Sequence, residues 1–173
     1  MTGSRLLRRM AGRDVDESHR VSTPLELLFD LTFVVAIAAA ASQLHHAVSE
    51  HHLGPGMLAY FTSFAAIWWA WMNFTWFASA YDTDDAPYRL MVLVQIAGVL
   101  VVAAGIPRAF EVVDFGVVTF GYAILRVGLV ANWLRAARSD PPRRQTALRY
   151  ALGLTVCQIG WLLLLTLPRE RWI

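Results

Sequence analysis

Lysine is absent from this chain, cysteine occurs once, and charged residues fill only 16% of its 173 positions. With a single thiol, Cys157, it can form neither an intramolecular disulfide nor a cysteine metal cluster. Set in an apolar run, that thiol reads as a small packing residue. The charge is too sparse for the surface of a water-soluble domain of this size. Also missing are a GxSxG elbow, a Walker loop, a Rossmann fingerprint and an HExxH helix, and no Ser-His-Asp order stands out, so a soluble-type enzyme is not expected.

What is present is apolar: 57% of the residues are hydrophobic, in runs of the roughly 20 residues needed to cross a bilayer. The reading is all-α, a polytopic transmembrane bundle of five helices at about 24–48, 57–80, 88–109, 115–137 and 145–167. Residues 1–20 read as a polar, mobile tail on the cytoplasmic side, and 21–173 as a single transmembrane domain. The first segment does not read as a secretory signal peptide, because it follows a charged tail and leads into further apolar segments. Ser22 or Thr23 can cap the first helix, with Pro24 near its first position, where a missing N–H costs little. Pro141 and Pro142 break the chain between the fourth and fifth helices.

The fifteen basic residues are all arginine, and the pI is near 9.0. Their placement beside the apolar runs points to a membrane surface, and no nucleic-acid partner is expected. With the N-terminus inside, eleven arginines fall on the cytoplasmic side and three (Arg108, Arg169, Arg171) outside, with Arg126 within the fourth helix. The positive-inside bias therefore predicts a cytoplasmic N-terminus.

Three stretches resemble a known family. TPLELLFDLTFVVAIAAAASQL is similar to the opening helix of the bacterial low temperature requirement protein A family, AIWWAWMNFTWFASAYDTDDAPYRL to its second helix and acidic loop, and QIAGVLVVAAGIPRAF to its third. ELLFD, WWAWMNFTWFASAYDTDD and the mid-helix Arg126 are the most specific parts. The resemblance implies an integral protein of a bacterial inner (plasma) membrane and names no chemistry. Relatives of this kind are longer, with more helices, so the chain reads as an N-terminal half.

Candidate site residues follow from charge inside apolar helices. Glu26 and Asp30 lie four apart on one face, and an intramembrane acid marks a site unless it is paired. Asp30 sits roughly 9 Å below Pro24, and Arg126 roughly 15 Å from the cytoplasmic end of its helix. If the first and fourth helices are neighbours the two can meet, as a charge pair on an ion or proton path or as a buried structural bridge. Glu26 is nearer water and suits the helix dipole. Asn73, Gln95, Asn132 and Gln158 are polar lining for the same path, or interhelical packing contacts. Trp69 and Trp76 share a face with Asn73 and could wall a ligand cavity. Asp82, Asp84 and Asp85 form an acidic cytoplasmic loop, read as a cap for the third helix or as partners of the facing arginines rather than as a cation site. His45, His46, His51 and His52 read as an exposed, pH-sensitive surface. No metal or cofactor is expected. Ala36/Ala40 and Gly153/Cys157/Gly160 have spacings suited to close helix packing. The expected partners are the lipid bilayer, a small solute or ion, and a second copy in a homo-oligomer. Transport or permeation is the leading function; a non-transporting sensor or scaffold, and a lipid-active membrane enzyme, are the alternatives.

Overall fold

The computed structural model describes residues 8–13, 22–81, 83–112 and 114–166. Five α-helices follow one another: α1 Pro24–Ser49, α2 Leu53–Ala80, α3 Ala86–Val112, α4 Gly116–Ser139 and α5 Arg144–Leu164, the last entered through a 3-10 turn, Pro141–Arg143. Thr23 caps α1 in a capping box with Glu26: the Thr23 hydroxyl accepts from the Glu26 N–H, and the Glu26 carboxylate accepts from the Thr23 N–H, each at 3.2 Å. α2 begins before the expected position, because Pro55 falls in its first turn, where its missing N–H is harmless. The reversal between α1 and α2 turns on His51, whose φ of 62° places it in the left-handed region.

Four helices are long and apolar enough to cross a membrane: α1, α3, α4 and the α5 segment with its leading turn. The expected fifth, α2, falls short in hydropathy although it runs 28 residues. Its tryptophans, Tyr60, Asn73, serines and threonines dilute the aliphatic content. The outward faces suit lipid: Leu27, Leu31, Val34 and Val35 on α1 and Leu152, Val156, Ile159 and Leu163 on α5 are each more than half exposed. The chain is a multi-pass helical membrane bundle.

α1 packs on α2 and α3, α3 on α4, and α4 on α5. The tightest seam is α3 against α4. A Cβ on Gly98 would lie 2.6 Å from the Leu125 nitrogen, and one on Gly121 2.6 Å from the Val102 nitrogen. These glycines bring the two backbones together, which favours packing where no hydrophobic drive exists between helices and lipid. Gly105 and Gly128, seven residues further along each helix, continue the seam. Ala36 and Ala40 are fully buried in the core. Gly153 and Gly160, in contrast, face open space and Cys157 is exposed, so the small-residue face of α5 is not a helix contact within this chain.

Residues 8–13 do not trail away as a tail. They lie as a strap across the end of the bundle where α2, α3 and α4 meet: the Arg13 N–H donates to the Ala80 carbonyl at 3.0 Å, Gly12 pairs with Tyr81, and Met10 is fully buried.

Candidate functional site

The expected Asp30–Arg126 pair is not formed. α3 stands between α1 and α4, which make no contact with each other. Asp30, half-buried, accepts instead from the Trp71 indole N–H of α2 at 2.7 Å. Arg126 is 6% exposed, and among the described residues no carboxylate pairs with it. Its guanidinium carbon lies 5.6 Å from the centre of the Tyr122 ring, one turn away on the same helix, a cation–π contact. Its Nε has no hydrogen-bond partner. Tyr122 in turn donates its hydroxyl to the Ala66 carbonyl of α2, bracing α2 against α4 at this level.

Arg126 lines a cavity of about 930 Å³ between α2, α3, α4 and α5. The walls are mainly apolar and include Ile67, Trp69, Val102, Ile106, Val118 and Trp161. Phe77 and Trp133 meet edge-to-face at 4.9 Å nearer the strap end, whereas Phe61 and Phe115, toward the other helix ends, line the cavity. The size falls within the range of small-molecule sites.

The other sequence-predicted residues distribute around this cavity rather than converging on it. Glu26 belongs to the α1 cap and not to a lining. Asn73 donates to the Trp69 carbonyl of its own helix at 2.6 Å. Gln95 is fully buried against Gly128, donates to the Met91 carbonyl at 3.2 Å, and has an unpaired side-chain oxygen. Gln158 reaches the Thr119 carbonyl of α4 at 3.5 Å. Asn132 is wholly buried with neither amide atom hydrogen-bonded. Trp69 is on the cavity wall, while Trp76 stands outside it, edge-to-face with Trp69 at 5.9 Å. Tyr122 was missed in the sequence, although its spacing of four from Arg126 on one helix was there to be read.

A second polar centre sits at the strap end. Asp82 lies outside the described residues. Asp84 is exposed and pairs with Arg89 at 2.6 Å, which holds its carboxyl below the usual carboxylate range. Asp85 is 1% exposed; it caps α3 by accepting from the Tyr88 N–H at 3.1 Å. It also accepts from both terminal nitrogens of Arg135 on α4, one at 2.8 Å, and from the Arg8 N–H of the strap at 2.9 Å. Burial alone pushes this carboxyl up; the donors from Arg135, Arg8 and Tyr88 outweigh it and hold the carboxyl below its ordinary value. Arg135 also donates to the Arg8 carbonyl at 2.8 Å, and Arg9 to the Ser139 carbonyl at 2.8 Å.

Residues 21–173 match the family model described as bacterial low temperature requirement A protein. The chain belongs to this family. An uncharacterized protein of Rhizobium meliloti (strain 1021), RA0937, is 29% identical over 138 residues, covering 79% of this chain. The matched stretch is 32% of that relative, so the low temperature requirement A chain described here spans about a third of its length. No solved structure matches.

Proposed function

We propose that this low temperature requirement A chain takes a small molecule into the α2–α5 cavity, as the binding step of transport or permeation across a bacterial inner membrane. The observation that carries the reading is Arg126, a buried cation without a described counter-ion, on the wall of a mainly apolar cavity. A buried unpaired charge is costly in a membrane, and such residues mark substrate pathways. In this reading α2 also spans, giving five membrane helices with the N-terminus inside. Its length of 28 residues supports this, and so does the sequence bias of eleven arginines before α1 and in or beside the α2–α3 and α4–α5 connections against three at the opposite helix ends. The Asp30–Arg126 pair that the permeation and scaffold readings share is not formed, so in this reading Arg126 carries the charge alone.

Proteoliposomes test the reading through fluxes of protons, chloride and benzoate. At least one flux should exceed that of protein-free liposomes. Arg126→Gln should lower it by about tenfold, the effect of losing roughly 1.4 kcal/mol, while Asp30→Asn stays close to wild type. If no flux exceeds that of protein-free liposomes, the permeation reading fails.

A further inference from the structure

We infer that the ligand of the α2–α5 cavity is a single-chain amphiphile with a carboxylate head, its head on Arg126 and its tail toward Phe115 and Trp161. The inference rests on the reading of this cavity as a ligand site. Three observations select the class.

The first is charge. Among the described residues no acid pairs with Arg126: Asp30 bonds Trp71, Glu26 sits in the α1 cap, Asp114 pairs with Arg108 at 2.8 Å, and Glu111 is exposed in the last turn of α3. An anionic ligand supplies what Arg126 lacks, and the planar guanidinium suits a carboxylate fork.

The second is the apolar wall. Lipid tails are as apolar as the lining residues, so moving an alkyl chain from bilayer to cavity gains little. Selection therefore falls on the head, and a neutral molecule of the same shape is not held. Depth narrows the head further. Arg126 lies ten residues along α4 from Gly116, roughly 15 Å from that helix end. A carboxylic acid can enter hydrocarbon in its neutral form and leave its proton to water when it binds as the anion. A phosphodiester lipid stays charged and carries two tails, so it would be held at the surface.

The third is the shape. The cavity of about 930 Å³ runs from Arg126 and Tyr122 at mid-helix to Phe115, Leu164 and Leu165 at the helix ends, room for one extended tail.

The test is scintillation-proximity binding of tritiated palmitate, hexadecanol and hexadecyltrimethylammonium, each alone, to the purified chain in dodecyl maltoside, with the unlabelled second and third as competitors of palmitate. Palmitate should bind saturably and neither competitor should displace it efficiently. Arg126→Gln should weaken binding by about tenfold or more, as loss of a charge-assisted hydrogen bond does, and Arg126→Lys should restore part of it. Ala65→Trp, a substitution at an exposed residue of the cavity wall, should abolish it. Should Arg126→Gln fail to fold, the three ligands on the wild-type chain still decide the head group. Equal displacement by hexadecanol, or palmitate binding unchanged in a folded Arg126→Gln, overturns the carboxylate class; if Ala65→Trp still abolishes binding, the cavity itself stands as a ligand site. Saturable binding of none of the three overturns both, as does a second copy of the chain filling the groove, seen as a stable dimer with no ligand bound.

Discussion

Asp30 and Arg126 carry opposite charges on helices that do not touch, and each has found an aromatic neighbour instead. Asp30 takes the indole proton of Trp71, and Arg126 lies by the ring of Tyr122. Interhelical hydrogen bonds of this kind in membranes are worth about 0.6 kcal/mol on average. A double-mutant cycle of Asp30→Asn with Trp71→Phe, read by unfolding in mixed micelles, should therefore return a coupling below about 2 kcal/mol, far from the loss expected of a broken buried ion pair. The acid itself was legible in the sequence as a charge four residues past Glu26 in an apolar run. Its partner was not. α2 offers Trp68, Trp69, Trp71 and Trp76, and only the rotation of α2 against α1 turns Trp71 toward Asp30. Arg126 was likewise legible as a cost to be met, but not the cavity beside it, which is lined from four helices.

At the scale of the helices, the α3–α4 seam shows which small residues have partners. Gly98→Leu or Gly121→Leu would force side-chain atoms into the backbone of the facing helix, and overpacking of this kind costs about 1–3 kcal/mol or more. Gly153→Leu meets nothing in this chain and should change unfolding by less than about 0.5 kcal/mol. Unfolding in the same micelles checks both. The sequence holds the spacing of seven in Gly98/Gly105 and in Gly121/Gly128, but the spacing in Ala36/Ala40 and Gly153/Cys157/Gly160 stands out more plainly. Periodicity marks a face and does not say what stands opposite it. Helix positions were otherwise readable to within a few residues, since apolar length and proline placement are local properties. Whether α2 belongs with the other four by hydropathy was not, because tryptophan counts as only weakly apolar while packing as a large hydrophobe.

For the whole molecule, the Asp85 centre ties the strap, the α2–α3 loop, α3 and α4 together. Removing Arg135 leaves a wholly buried carboxylate without its cation, so Arg135→Ala should cost about 3 kcal/mol, read by unfolding. The Asp85 carboxyl is held below its ordinary value in the folded chain, so its stabilisation is complete above about pH 4, near the unfolded value. It is lost as pH falls further through the depressed folded value. Protection of residues 8–13 against hydrogen exchange, taken relative to the intrinsic rate at each pH, should be high at neutral pH and fall only below about pH 4, whereas Asp85→Asn should leave it low at every pH. Closing the strap also has an order in time. Its partners Arg135, Ser139 and the Arg143 guanidinium, which lies against Gly12, are made more than a hundred residues after it. A ribosome has to deliver four helices and the turn beyond them before residues 8–13 can seat. A nascent chain stalled after α3 therefore leaves Asp85 without Arg135, and the strap becomes a late mark of completed insertion.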